Sequence, residues 1–226
     1  MKQGKLLLYS GGMDSFIAWE YLNRPATLYV DLQHRYAKQE MDAIIDTIPW
    51  TIIDKRLSLK DQEDKDAHIP MRNAFLLMIA SFYNNDIVLV VQKGEMTIPD
   101  RSDKFFQSFG SWLSWMNNTT MKISTPFADM TKTQMVTWYL DSNLPIEMLL
   151  RTRSCFSTAI TPCGACAACF RRWVALQNNG LHENYLLPML QWDGVKEYVT
   201  KMEQGKYDEM RTKETMQALE KAQYFR

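Results

Sequence analysis

The chain has no long apolar run and no excess of charge of either sign, and it contains only three histidines. A membrane-spanning helix needs about 18 or more consecutive apolar residues, and the sequence has no such run. The 26 basic and 26 acidic residues cancel, so no overall field attracts nucleic acid or an anionic membrane. The apolar stretch at the start is too short for a signal peptide. These absences predict a cytoplasmic protein that binds neither membranes nor nucleic acid directly.

Cysteine is absent from most of the chain, because all four cysteines fall within 15 residues: Cys155, Cys163, Cys166 and Cys169. Four thiolates at this spacing can reach one tetrahedral ion, and a reducing compartment favours a metal over disulfides. We predict a structural Zn²⁺ with all four positions filled. An iron–sulfur cluster is the alternative, because thiolates alone do not exclude it. Arg171 and Arg172 follow the last cysteine, and we expect them to offset the negative charge of a four-thiolate zinc site.

Apolar runs alternate with helical patterns over the first two thirds of the chain. Strands are predicted at 5–9, 26–31, 51–53, 87–91 and 121–124, and helices at 13–22, 36–47, 72–83 and 103–115. This alternation predicts a parallel sheet with helices on both faces, a Rossmann-like α/β fold. We predict a nucleotide-binding α/β domain over residues 1–150, with the metal-binding segment and C-terminal helices over 151–226 packed against it as one compact unit.

The first predicted strand-to-helix turn reads SGGMDS and contains Ser10, Gly11, Gly12, Met13, Asp14 and Ser15. Its glycines and serines leave backbone N–H groups accessible at the start of a helix, and this arrangement favours phosphate binding. Neither GxxxxGK[ST] nor GxGxxG occurs, which excludes a Walker-type P-loop and a dinucleotide fingerprint. Asp14 has the same sign of charge as phosphate, so we expect it to hold a Mg²⁺ that bridges the phosphates. The alternative is a glycine turn with an ordinary helix cap.

The SGGMDS loop resembles the SGGxDS loop of the N-type ATP pyrophosphatases, the PP-loop superfamily. Three further stretches resemble segments of the 7-cyano-7-deazaguanine synthases: IPMRNAFLLMIA, ISTPFADMTKTQMV and RSCFSTAITPCGACAACFRR. The resemblance implies that ATP adenylates 7-carboxy-7-deazaguanine, that ammonia displaces AMP to give the amide, and that a second ATP-dependent step dehydrates the amide to the nitrile. It also implies a homodimer and a part in queuosine-type modification of tRNA or DNA bases.

Other positions complete the predicted site. Lys132 opens a helix and is placed to meet the phosphates as a point charge. Arg72 and Asn73 begin a helix whose 75–83 stretch is predicted to be buried on nearly all sides, so we expect both to face a ligand; the alternative is a solvated arginine and an asparagine cap. We predict that Asp100 reads donors on the base and that a fork of donors from Arg101 or Arg72 binds the carboxylate. The predicted catalytic residues are Asp14, Lys132 and Arg72, and the predicted substrate-binding residues are Arg72, Asn73, Asp100 and Arg101.

The chain departs from the resembled family on the substrate side. The stretch IPDRSDKFF has Arg101 and Ser102 where the family has cysteine and arginine, and Gln33 and His34 lie in a second divergent stretch, DLQHRYAKQE. His34 is the histidine that we expect nearest to the ligand. These departures leave open a related ATP-dependent enzyme that forms amides or nitriles from another carboxylate.

Two further classes compete with this interpretation. A PP-loop tRNA-thiolating enzyme would use cysteines to carry sulfur or an iron–sulfur cluster, but one metal site uses all four cysteines of this chain. A non-catalytic nucleotide-binding module is disfavoured, because Ser10, Asp14, Ser15 and Lys132 are all present.

Overall fold

The computed structural model describes residues 4–65, 67–96 and 98–224. Its sheet has five strands: β1 (Leu6–Leu8), β2 (Ala26–Val30), β3 (Ile52–Asp54), β4 (Asp86–Val88) and β5 (Lys122–Ser124). They lie in the order β3-β2-β1-β4-β5, and every neighbouring pair is parallel. The strand order reverses between β1 and β4, where an open α/β sheet forms a ligand-binding crevice at the carboxyl ends of its strands. The predicted α/β fold with a parallel sheet is confirmed.

The helices begin and end within two residues of the predicted bounds wherever the sequence assigned them. They are α1 (Met13–Tyr21), α2 (Ala37–Thr47), α3 (Arg72–Ser81), α4 (Asp103–Met116), α5 (Lys132–Asp141), α6 (Ile146–Arg151), α7 (Ala167–Asn178), α8 (Gly194–Glu203) and α9 (Glu209–Lys221). Local capping explains some of the starts. Thr131 and Gln134 form a capping box at the start of α5. Over the part of the chain that the structure describes, no helix combines the length and the apolar character needed to cross a membrane.

Helix α3 is less buried than the sequence predicts. Leu77 and Ala80 are buried, but Met78 is 36% exposed and Phe82, just after the helix, is 67% exposed. The prediction that 75–83 is buried on nearly all sides is therefore wrong. One side of α3 packs on β1, β2 and β4, and the other side faces solvent.

Apolar side chains form a core on each face of the sheet. On one face, Leu7 of β1 packs with Phe16 of α1 and Leu176 of α7. On the other face, Leu6 of β1 packs with Leu77 of α3, because successive residues of a strand point to opposite faces. The C-terminal segment therefore contributes directly to the core that supports β1.

A third apolar cluster surrounds the cysteines. It contains Cys155, Cys169 and Phe170, together with Val195 of α8 and Leu219 of α9. Helices α8 and α9 thus pack around the metal-binding segment.

Candidate active site and metal centre

The loop between β1 and α1 has a backbone that requires glycine at one position. Gly11 has a φ of +70°, and a Cβ added there would lie 2.8 Å from the backbone oxygen of Glu40 and 3.1 Å from Ala43 Cβ. Gly12 is the N-cap residue of α1, and no described side chain caps the helix there. The first turn of α1 therefore presents backbone N–H groups and the positive end of the helix dipole to the cleft.

The serines and Met13 fix the shape of this loop. Ser15 Oγ donates a hydrogen bond to the carbonyl oxygen of Gly12 over 3.0 Å and lies 3.4 Å from Ser10 Oγ. The Met13 side chain is fully buried in the core. Met13 therefore anchors the loop, and only its backbone is placed to meet a ligand.

Asp14 and Lys132 form an ion pair across the cleft. Asp14 lies in the first turn of α1, Lys132 is the first residue of α5, and Lys132 Nζ contacts Asp14 Oδ2. Burial lowers the pKa of Lys132, and the neighbouring Asp14 carboxylate opposes this effect. Asp14 Oδ1 is buried and has no hydrogen-bond partner among the described residues. A carboxylate with one free oxygen beside a phosphate-type loop fits a Mg²⁺ ligand.

The cleft begins at this ion pair and divides into two branches. Ser10, Asp14, Ser15, Arg72, Phe156 and Arg171 line both branches. The first, which we call the loop branch, also contains Tyr36, Glu40, Lys132 and Arg153. The second, which we call the apolar branch, runs between the ends of β1, β2 and β4 and contains Leu28, Val30, Asn73, Leu76, Leu89, Glu95 and Arg101. The structure thus brings together most of the residues that the sequence assigned to the site.

Arg72 carries a permanent positive charge into the cleft. Burial acts to lower the pKa of its guanidinium, but the neighbouring Tyr36 and Glu40 offset this effect and the net pKa is raised. Its Nε is buried without a hydrogen-bond partner among the described residues. A buried guanidinium with an unpaired donor fits an anionic ligand.

Asp100 makes its contacts at the start of α3. Its Oδ2 accepts a hydrogen bond from the backbone N of Asn73 over 3.1 Å, and its carbonyl oxygen accepts one from Asn73 Nδ2 over 3.0 Å. These contacts hold the turn before α4 against the first turn of α3, close to Arg72. The role of Asp100 in reading a base stays a prediction.

Several cleft residues, among them Glu95 and Arg171, were not assigned to the site by the sequence analysis. Glu95, in the loop after β4, accepts contacts from two arginines: Arg101 Nη1 lies 2.9 Å and Arg171 Nη1 3.5 Å from Glu95 Oε1. The position of Glu95 after a central strand is a signal that could have revealed it. Arg171 was expected to offset the charge of the thiolates, and the structure instead pairs it with Glu95.

Two other expected contributions differ in the structure. Arg172 is buried and pairs with Glu183 Oε2 at 2.9 Å, and its Nη1 donates to Thr152 Oγ1 over 2.7 Å. It is therefore a core ion pair rather than a counter-charge for the metal. His34 was expected to lie nearest to the ligand, but it is buried and is not among the described residues that line either branch. Its ring centroid lies 4.1 Å from that of Tyr36, and its Nε2 lies 3.2 Å from Glu40 Oε2.

The four cysteines converge on one point. Their sulfur atoms all lie within 4.8 Å of one another, and the Sγ atoms of Cys163 and Cys169 are 3.9 Å apart. A tetrahedral Zn²⁺ with bonds of about 2.3 Å holds its sulfurs about 3.8 Å apart. Backbone amides point at the sulfurs: those of Ser157 and Cys163 each lie 3.3 Å from Cys155 Sγ. The cluster therefore fits a single metal ion with four thiolate ligands.

The protonation of these thiols also fits cation binding. Hydrogen bonds from Cys166 and Cys169 lower the pKa of the Cys155 thiol, whereas burial raises the pKa of Cys163 to about 11. The sulfurs thus compete for protons that a cation displaces when it binds.

Gly164 permits the tight turn between Cys163 and Cys166, since it has a φ of +68° and an added Cβ would lie 1.9 Å from the oxygen of Leu187.

Fold and site define a class of protein: a parallel α/β sheet with a phosphate-type loop at its switch point and a four-cysteine metal site beside it. The model of the family "Queuosine biosynthesis protein QueC" matches residues 48–180, more than half of the chain. The chain belongs to this family. Membership confirms the resemblance to this family noted from the sequence.

Curated relatives carry the name 7-cyano-7-deazaguanine synthase. The chain is 25% identical to that of Methanosphaera stadtmanae over 212 residues, 76% of this chain and 92% of the relative. It is 26% identical to that of Alteromonas mediterranea over 213 residues, 80% of this chain and 96% of the relative. It is 31% identical to that of Methanosarcina mazei over 128 residues, 54% of each chain, so this match spans about half of the relative's length.

Proposed function

We propose that this chain converts 7-carboxy-7-deazaguanine and ammonia into 7-cyano-7-deazaguanine at the expense of two ATP molecules. The observation that carries the proposal is the branched cleft, in which the loop 10–15 faces Arg72, Arg171 and the cysteine segment in a member of this family. The product serves queuosine-type base modification of tRNA or DNA. The activity of the relatives and the placement of the residues both support this function.

The chain's first task is to hold ATP so that pyrophosphate can leave. The N–H groups at the start of α1 bind the phosphates, and Lys132 and Arg72 supply positive charge in the loop branch. Asp14 would hold Mg²⁺, which neutralises the charge that develops on the leaving pyrophosphate. Ser10 and Ser15 keep the loop in the required shape.

Adenylation overcomes the poor reactivity of a carboxylate toward an amine. A carboxylate oxygen of the substrate attacks the α-phosphorus, pyrophosphate leaves, and ammonia then displaces AMP to form the amide. In the second round the amide oxygen attacks a second ATP, pyrophosphate again leaves, and loss of AMP and two protons yields the nitrile. The cleft must exclude water during both rounds, because water competes with ammonia for the acyl adenylate.

The metal centre has a structural task in this proposal. Four cysteines leave no open coordination position, so the ion we assign, Zn²⁺, takes no part in the reaction. Sulfur atoms within 4.8 Å of one another support a single ion over an iron–sulfur cluster, because a cluster spreads its four thiolates over two or more iron atoms. Because the four thiolates fill the coordination sphere of the ion, no histidine or carboxylate is needed as a further ligand.

The proposal also includes a cytoplasmic location and a homodimer. Helix α4 supports a dimer, since its exposed face carries Trp112, Trp115 and Met116. Apolar side chains grouped on one exposed helix face are typical of protein interfaces. Light scattering of the purified chain measures its oligomeric state.

The function is tested by pyrophosphate release with ATP, ammonium and a panel of deazapurine carboxylates, with products identified by mass. We expect release that depends on 7-carboxy-7-deazaguanine, followed by the amide and then the nitrile. Release that is independent of any carboxylate would contradict the proposal, as would a product in which sulfur has replaced oxygen. A panel member that is turned over faster than 7-carboxy-7-deazaguanine would identify another carboxylate as the substrate.

A further inference from the structure

Glu95 holds two arginines of the cleft through a single oxygen atom. Arg101 Nη1 lies 2.9 Å and Arg171 Nη1 lies 3.5 Å from Glu95 Oε1. The two arginines come from distant parts of the chain, Arg101 from the turn before α4 and Arg171 from α7. The fold therefore builds a point at which two guanidinium groups converge on one carboxylate, and proteins recognise ligand carboxylates in this way.

This point lies beside the apolar branch of the cleft. Val30, Leu76 and Leu89 line that branch, and Glu95, Arg101 and Arg171 line it as well. This mixed lining suits an aromatic ring packed against the apolar side chains, with an acidic substituent directed at the arginines.

The side chains at this point are able to change partners. Glu95 is 19% exposed, Arg101 33% and Arg171 35%, so each remains in contact with solvent. Arg171 Nε is buried without a hydrogen-bond partner among the described residues. Glu95 directly follows Gly94, which has a φ of +83°. A second carboxylate could thus be bound here if Glu95 turned away.

The other cations of the cleft all line the loop branch: Lys132 and Arg153 line only that branch of the two, and Arg72 and Arg171 line both. Lys132 pairs with Asp14 in the loop branch, and Arg72 faces Tyr36 and Glu40. Arg101 lines the apolar branch and is absent from the side chains that line the loop branch in the described residues. Arg101 is therefore the arginine best placed to recognise a substrate group rather than the phosphates.

We propose that the carboxylate of the deazapurine substrate binds Arg101 and Arg171 in competition with Glu95. This inference rests on the proposed function, which supplies a deazapurine acid as the ligand. Two carboxylates on the same guanidinium pair repel each other, so Glu95 leaves the arginines when the acid binds. The amide formed in the first round is neutral and does not displace Glu95. Arg101 and Arg171 thus distinguish the acid from the amide by charge.

The test compares binding of the acid and of the amide to the full chain with its metal bound. Isothermal titration is run with Mg²⁺ and α,β-methylene-ATP, so that no turnover occurs. We expect Arg101→Gln to weaken binding of the acid about tenfold or more, and binding of the amide by no more than about twofold. Glu95→Gln should tighten binding of the acid several-fold, because it keeps the side-chain length and removes the competing charge.

A matched control separates this effect from a general loss of charge. Arg24→Gln removes an arginine from an exposed arginine–glutamate pair with Glu20, at 2.9 Å, outside the cleft, and should change neither affinity. Equal weakening of acid and amide by Arg101→Gln would overturn the proposal, as would weaker binding of the acid to Glu95→Gln. Failure of the unmodified chain to bind the acid would overturn it too. Selective binding of the acid without pyrophosphate release in the presence of ATP would instead contradict the proposed function alone.

Discussion

The backbone N of Arg153 donates a hydrogen bond to the carbonyl oxygen of Gly11 over 2.8 Å. The Arg153 side chain also reaches forward, where its guanidinium donates to the carbonyl oxygens of Ser157, at 3.2 Å, and Ala159. Those carbonyls belong to the loop between Cys155 and Cys163. One residue therefore links the phosphate-type loop at the start of the chain to the metal centre near its end.

This link predicts that loss of the metal affects the nucleotide site. We expect about one zinc per chain, bound by the four thiolates. Removal of the ion should reduce hydrogen-exchange protection in residues 153–170 and in α8 and α9 before it reduces protection in the sheet, and ATP affinity should fall. Exchange measured by mass spectrometry before and after chelation checks this. Cys163→Ser should reproduce the effect, whereas an unchanged thermal transition after chelation, or iron in the purified protein, would refute it.

Asp14→Asn is expected to reduce pyrophosphate release roughly a hundredfold or more, because it removes a charge that faces the Mg²⁺ and the phosphates. The fold should persist, since asparagine has nearly the same shape and Asp14 is near the surface of the cleft. Steady-state kinetics measures the loss, and circular dichroism checks the fold. Asp42→Asn is the control, because Asp42 forms an exposed pair with Lys38 on α2. Normal turnover in Asp14→Asn would rule out Asp14 as the Mg²⁺ ligand.

Gly11→Ala should lower both the free energy of unfolding and ATP affinity. The cost is about 1–3 kcal/mol, because the position has a positive φ and the new Cβ would meet the oxygen of Glu40. Urea unfolding and nucleotide titration measure the two effects. Gly110→Ala in α4 is the matched control: its Cβ would have ordinary contacts with Ile123, nearest atom 3.6 Å, and alanine favours a helix. Equal stability of the two variants would contradict the account of the loop.

Asp54→Asn tests an electrostatic contribution to the sheet. Hydrogen bonds from Arg56 lower the pKa of Asp54 from 3.8 to about 2, and Tyr83 donates to the same carboxylate over 2.9 Å. A lowered pKa means that the ionised group stabilises the fold fully above its unfolded pKa, and that this stabilisation is lost as the pH falls toward the folded pKa.

We therefore expect Asp54→Asn to reduce the free energy of unfolding by about 1–2 kcal/mol at neutral pH. The difference from the unmodified chain should shrink as the pH falls from about 5 to about 3. Urea unfolding at several pH values measures it. Asp46→Asn, at an exposed position of α2, should show no such trend. If the difference in the free energy of unfolding between Asp54→Asn and the unmodified chain stays constant with pH, the ion pair contributes little.

The sequence alone determined the features that depend on neighbouring residues. Apolar runs and helical spacing predicted the assigned helices within two residues and the strands within three, because burial on a sheet or along a helix imposes a period on the chain. The SGGMDS loop and the spacing of the cysteines are equally local. Each predicted one kind of binding site, and the structure groups the four sulfurs as expected. The division at residue 150 and the roles of the site residues stay predictions.

Only the tertiary structure decided which distant side chains meet. Glu95 joins Arg171 to Arg101, and Arg172 turns into the core toward Glu183. Two adjacent arginines on a helix point about 100° apart, and what each one faces depends on elements packed from elsewhere in the chain. Tertiary packing also determines which side of α3 is exposed, because a helix that is apolar on all sides does not indicate which side will pack on the sheet. Pairings of this kind depend on the packing of the whole fold, which local periodicity does not encode.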